Sequence, residues 1–212
     1  MSAVLTPPHI NIEQRIILKD ATWETYEQLL KNYQEDSSPR FAYDNGSLEI
    51  FMPSQEHEES NRFFELFISA IAEARKLKIR SLGSTTQKRE DLLKGLEPDS
   101  CFYIQNANLI TNVKRVDLSI HPPPDLAVEV DVTSSSLDRF AIYSALRVPE
   151  IWRCENNDVK FFQLESNEYV EVIESLALPN VKANDVTRFL HESQTSERYE
   201  WLPNVREWAR SL

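Results

Sequence analysis

A chain of 212 residues, 41% hydrophobic and 27% charged, has enough apolar mass for one domain with a full core, which excludes general disorder. Its formal charge of −11 excludes a protein that coats nucleic acid through overall charge, because that affinity comes from neutralising phosphates with Lys and Arg; any nucleic-acid surface must be local. No apolar run reaches the roughly 18 residues of a membrane span, the N-terminus lacks the pattern of a signal peptide, and Cys101 and Cys154 alone make neither a disulfide framework nor a zinc site, so the expected location is the cytoplasm.

Residues 1–14, with Pro7-Pro8 and no periodicity, read as a flexible N-terminal arm before a single domain over 15–212. Trp23, Tyr26, Leu29, Leu30 and Tyr33 recur at helical spacing, which predicts a helix over 20–33 that Asp20 or Thr22 can cap. Phe41-Ala42-Tyr43 and Leu48-Glu49-Ile50-Phe51-Met52 flank Asp44-Asn45-Gly46; Asn-Gly tolerates positive φ, so this segment predicts a β-hairpin. Phe63, Phe64, Phe67, Ile68, Ile71 and Ala74 mark one long amphipathic helix over about 56–77, its apolar face turned to a sheet. Residues 79–89 predict a strand with a bend at Gly83, and 97–104 a second strand with Pro98 confined to its entry.

The polar stretch 105–120 and the stiff Pro122-Pro123-Pro124 lead into the segment Asp125–Val132. Read as a strand, it places Leu126, Val128, Val130 and Val132 on one face and Asp125, Glu129 and Asp131 on the other. Same-face neighbours two apart lie roughly 7 Å from each other, so ionised carboxylates there repel unless water, a basic group or a cation intervenes. A hard divalent metal is the natural candidate. Thr133-Ser134-Ser135-Ser136 forms an N-cap cluster for a helix over about 136–147, which Val148-Pro149 stops. A strand starts at Glu150, Val159–Gln163 and Tyr169–Ile173 predict a hairpin around Glu165-Ser166-Asn167, and a short helix follows Asn184 or Asp185. Trp201, Leu202, Val205 and Trp208 form an apolar stripe with little chain left to cover it, from which a symmetric homodimer is expected.

The order helix, strand, strand bearing Asp99, strand bearing Glu129, helix, strand resembles the α-β-β-β-α-β core of the PD-(D/E)XK, or restriction endonuclease-like, nuclease superfamily. Gly95-Leu96-Glu97-Pro98-Asp99 resembles its PD element, and Pro124–Val130 the strand with its second acidic residue. Together with the Ser run, Tyr143 and Val148-Pro149-Glu150-Ile151-Trp152, these segments resemble a bacterial group of restriction endonuclease-like proteins over roughly residues 20–190. The resemblance implies an α/β fold with a mixed central sheet flanked by helices, its core about 56–175, preceded by a small helix and hairpin.

For activity, the resemblance implies a DNA endonuclease in which Asp99 and Glu129 hold Mg²⁺ (or Mn²⁺), an ion that polarises the phosphate and activates water. Asp125 or Asp131 completes or flanks that site, Glu58 or Glu65 adds an outer contact, and His57 orients a phosphate or a water. The sequence departs from the superfamily at its lysine: two residues after Glu129 stands Asp131. The lysine of the bacterial group's following helix is matched by Arg139, which keeps the charge but cannot give up a proton at working pH. Arg139 reads equally as a charge stabiliser or as a salt-bridge partner of Glu129, and Lys88 could reach the site from a neighbouring strand. Within the locally basic stretch 75–94, Lys88, Arg89 and Lys94 are candidate DNA contacts. The alternative is a catalytically silent nuclease-fold protein that binds nucleic acid or a protein partner.

Overall fold

The structure, a computed structural model, describes residues 13–33, 38–131 and 137–212. The chain enters as strand β1 (Gln14–Leu18) and turns into helix α1 (Trp23–Asn32), where the Thr22 hydroxyl accepts from the Thr25 amide at 3.1 Å. The hairpin is present as β2 (Arg40–Asp44) and β3 (Ser47–Met52); Asn45 and Gly46 supply the positive φ values, 43° and 92°, that its two-residue turn requires. Ser54 caps α2 (Gln55–Arg75), the long amphipathic helix, by accepting from the His57 amide at 3.2 Å.

Residues 79–89 do not form one strand. They split into β4 (Arg80–Ser81) and β5 (Gln87–Arg89), which belong to different sheets and are separated by a turn with Gly83 at φ 53°. After a short β6 (Lys94–Leu96) the chain crosses at Pro98 into β7 (Ser100–Tyr103), shorter than the strand expected over 97–104. Pro98 has no amide hydrogen to offer a ladder, so pairing stops there and resumes in the other sheet. Then follow β8 (Leu126–Asp131), α3 (Arg139–Leu146), β9 (Glu150–Glu155), β10 (Asp158–Glu165), β11 (Glu168–Val172), α4 (Ala183–Thr195) and α5 (Arg198–Ser211). The Thr133–Ser136 run lies outside the described residues; α3 is capped by Asp138, whose Oδ1 accepts from the Ala141 amide at 3.1 Å.

The strands make a five-stranded antiparallel sheet in the order β1-β3-β2-β6-β5 and a six-stranded sheet in the order β11-β10-β9-β8-β7-β4. In the second sheet β8 and β9 are parallel and the other pairs antiparallel, so α3 is the crossover that a parallel pair demands. This is the mixed α/β restriction endonuclease-like core. The hairpin expected ahead of it is part of a larger sheet, because β1, β5 and β6 extend it on both sides, and α1 packs on that sheet through Tyr26. Gln14 is already paired and Glu13 is buried, so the arm expected over 1–14 gives way to structure before its predicted end; residues 1–12 lie outside the description.

Helix α2 lays Phe64, Phe67, Ile68 and Ile71 on the six-stranded sheet against Leu126, Val128, Val130 and Trp152, and α4 and α5 close the same core. Trp201 and Val205 are buried there, Phe63 packs on Trp201 at 5.5 Å between centroids, and Trp201 Nε1 donates to the Phe189 carbonyl at 3.0 Å. The C-terminal stripe is therefore covered by this chain's own α2, which removes the reason for expecting a homodimer through it. On the opposite face of the sheet, α3 contributes Ile142, Tyr143 and Leu146 to a second core with Ala127 and Ile151. The alternation read in β8 holds, but all six of its residues are buried, so the acidic face looks into protein rather than solvent. Among the described residues no helix is long and apolar enough to cross a membrane.

Cys101 and Cys154 are free and buried, and burial pushes both thiols up to about 12. Thiolate is the reactive form, so neither should react with a disulfide reagent at pH 8 in the folded protein, while both should titrate after unfolding in guanidinium. Stoichiometric labelling of the native protein would contradict this packing.

Candidate active site

Asp99 stands between the two sheets, one residue before β7. Its amide donates to the Val128 carbonyl at 3.2 Å, its carboxylate Oδ2 accepts from the Val130 amide at 2.6 Å, and Asn61 Nδ2 of α2 donates to its carbonyl at 3.0 Å. The clamp holds Asp99 against β8. Extending the pairing of Ser100 with Val128 by one step sets Asp99 opposite Glu129, and both carboxylates are buried. The PD element and the acidic strand thus lie side by side.

The other oxygen of Asp99, Oδ1, receives His57 Nε2 at 2.8 Å and an ion pair from Arg40 Nη1; Arg40 also pairs with Glu58. His57 Nδ1 lies 2.8 Å from Glu13 Oε1. Burial lowers the pKa of Arg40, and Glu58 and Glu129 oppose that fall. On the second carboxylate, Glu129 Oε1 accepts from the Tyr143 hydroxyl and from Arg139 Nη2 at 3.0 Å, while Arg139 Nε lies 2.9 Å from Oε2. Arg139 donates further to the Glu97 carbonyl at 2.7 Å and to Glu49 Oε1 at 3.4 Å. Burial alone would lower the Arg139 pKa, but Glu129, Tyr143 and Glu49 carry it above the ordinary arginine value. Burial and the charge of Glu129 raise the Tyr143 phenol well above its usual range, so it stays protonated and donates.

Arg15 of β1 ties these halves together, contacting Glu49 at 3.4 Å, Asp131 at 3.6 Å and Glu13 at 3.8 Å, and Arg153 pairs with Asp131 at 2.7 Å and Glu155 at 3.6 Å. Among the described residues the result is one connected network in which seven carboxylates (Glu13, Glu49, Glu58, Asp99, Glu129, Asp131 and Glu155) face four guanidiniums and one imidazole. Glu58 and Glu155 lie at its partly exposed rim, while the buried carboxylates Glu13, Glu49, Asp99, Glu129 and Asp131 each have a basic partner, as low-dielectric surroundings require.

The all-oxygen donors of Asp99 and Glu129 fit a hard divalent cation. Among the described residues Asp99 Oδ2 receives one hydrogen bond and Glu129 Oε2 one ion contact, whereas a carboxylate oxygen offers two lone pairs. No group of three or more His, Cys, Asp or Glu side chains among the described residues is arranged as a metal cage. Magnesium does not need one, because it keeps several waters and takes one or two carboxylates with substrate phosphate oxygens.

Other predicted residues fall elsewhere. Asp125 caps the loop after β7, accepting from the Ile104 amide at 2.7 Å, the Asn106 amide at 3.0 Å and Asn106 Nδ2 at 2.6 Å, so it supports structure rather than the site. Asp131 flanks the site through Arg15 and Arg153, and Glu58 reaches it through Arg40, while Glu65 accepts from Ser81 and Ser100. His57 is buried, with its two ring nitrogens set against Glu13 and Asp99. Lys88 is turned to Glu27 of α1 and not to the carboxylates; Arg89 pairs with Asp91 at 2.6 Å and Lys94 with Asp44.

Sequence reasoning missed Arg40, Glu13, Arg15 and Glu49. Glu49 carried a signal, a charged residue in the middle of an otherwise apolar strand, Leu48-Glu49-Ile50-Phe51. The other three carried none, because each acts across sequence separations that local patterns do not encode.

A family profile, Uma2, described as "Putative restriction endonuclease", matches residues 23–195. Among solved structures, a protein of Anabaena variabilis described as "a putative nuclease belonging to DUF820" is 14% identical, the match covering 76% of this chain and 98% of that one with a TM-score of 0.47. No curated protein matches the chain.

Proposed function

The chain belongs to the Uma2 restriction endonuclease-like family, and from that membership we propose that it is a Mg²⁺-dependent (or Mn²⁺-dependent) DNA endonuclease with Asp99 and Glu129 as the metal-holding pair. One observation carries the reading: Asp99, one residue ahead of β7, stands opposite Glu129 of β8, and both carboxylates are buried. A divalent ion bound there would polarise a scissile phosphate and lower the pKa of an attacking water.

The chain's own residues have separate tasks. The Val130 amide and Asn61 fix Asp99, and Tyr143 and Arg139 orient Glu129. Arg139 stabilises negative charge but holds its proton, so it cannot serve as a general base. The protonated Tyr143 phenol is likewise a donor only. At the surface, Arg89 pairs across the strands with Lys94, next to Lys88, and these three cations would exchange their carboxylate partners for DNA phosphates.

Calorimetric titration with Mn²⁺ tests the site. Wild type should bind, and Asp99→Ala and Glu129→Ala should not; equal binding by all three would sink the assignment. A second reading, the catalytically silent nuclease fold, is favoured by the way Arg139 already neutralises Glu129. It predicts DNA binding without cleavage.

A further inference from the structure

We propose that Glu13 and His57 are positioning residues that set the Asp99 carboxylate for its cation, a proposal that rests on the Asp99 and Glu129 metal reading. His57 lies in the first turn of α2, with its amide held by Ser54, its ring 1% exposed and tilted against Phe51 at 5.2 Å. Both its nitrogens are 2.8 Å from carboxylate oxygens, Nδ1 from Glu13 and Nε2 from Asp99. The line Glu13, His57, Asp99 therefore runs from the entry of β1, through α2, to the start of β7.

Asp99 needs that support because its other Oδ1 partner is divided. Arg40 pairs with Asp99 and Glu58 at once and lies 3.3 Å from His57 Nε2, so the guanidinium is not dedicated to Oδ1. His57 has no such freedom: α2 fixes its backbone, Phe51 its ring plane and Glu13 its far nitrogen. With Oδ1 held by His57 and Oδ2 by the Val130 amide, the carboxylate plane is defined at both oxygens. What remains of Oδ2 is then aimed before a cation arrives. Outer partners of this kind orient metal-binding groups, and their removal costs about 10- to 100-fold in metal affinity.

The test is Mn²⁺ affinity, followed by loss of the free-ion electron paramagnetic resonance signal and by calorimetry, on variants whose folding is checked by thermal melting without metal. His57→Ala should weaken Mn²⁺ binding by about 10- to 100-fold. His57→Gln places an amide N–H near the position of Nε2 and should restore affinity to within about threefold of wild type. Glu13→Ala, which leaves the ring in place but unheld at Nδ1, should fall between, at about three- to tenfold. Wild-type affinity in folded His57→Ala, or a glutamine variant no better than alanine, would overturn the positioning role alone. Absence of Mn²⁺ binding in wild type would overturn the metal reading and this proposal together. Should His57→Ala fail to fold, Glu13→Ala decides: weakened binding supports the relay and unchanged binding refutes it.

Discussion

Arg139→Ala is expected to cost about 3–5 kcal/mol of folding stability, the range for removing one partner of a buried ion pair. Arg139 is 8% exposed and serves Glu129, Glu49 and the Glu97 carbonyl at once, so its loss strands buried acceptors. Denaturant unfolding should show a lower midpoint with an unchanged slope, because the compactness of neither state is altered. Arg139→Lys should recover part of the loss. One ammonium can meet Glu129, but it lacks the planar fork that lets the guanidinium reach Glu129, Glu49 and Glu97 together. If alanine at 139 cost less than about 0.5 kcal/mol, a value ordinary for surface positions, the buried network would not be as the structure describes it. The same substitution should slow DNA cleavage by about tenfold to a thousandfold, as when one electrostatic stabiliser is lost. A stability loss with no change in rate per folded molecule would make Arg139 a purely structural residue.

How far the sequence revealed this arrangement depends on the range of each interaction. The alternation in β8 was legible because strand geometry alone sends Leu126, Val128 and Val130 one way and Glu129 and Asp131 the other. That the acidic side is also buried was not, since its cover comes from α3 and from Arg15 of a strand more than a hundred residues earlier. Asp125 and Glu129 share a face by parity, yet Asp125 stands ahead of the strand, where loop amides claim it. The segment 79–89 misled for a related reason: its short strands are too brief to carry a period, and which sheet each joins is a tertiary choice. The C-terminal stripe was read correctly as apolar, but its cover, α2, is remote in sequence. Asp99 was placed by Pro98, a residue that cannot continue a ladder and so marks the crossing between sheets.

The largest effect on activity is expected from Glu129→Gln. Glutamine keeps the volume of the side chain and an oxygen that can accept from the Tyr143 hydroxyl, and Arg139 keeps Glu49 and the Glu97 carbonyl, so the loss of stability should be smaller than for Arg139→Ala. It removes the negative charge that faces Arg139 and would hold the metal. Metal-derived stabilisation is worth several kcal/mol, and each factor of ten in rate about 1.4 kcal/mol, so single-turnover cleavage of supercoiled DNA in Mg²⁺ should fall by about a thousandfold or more. Binding of the same DNA should change little, because the proposed phosphate contacts are cations such as Arg89 and Lys94 and not Glu129. The two readings of the chain separate on this comparison. A cutting wild type with a dead but DNA-binding glutamine variant supports the metal-dependent nuclease. If wild type and variant bind DNA equally and neither cuts it in Mg²⁺ or Mn²⁺, then Arg139 and Glu129 form a closed ion pair that has replaced catalysis, and the silent scaffold is the better account.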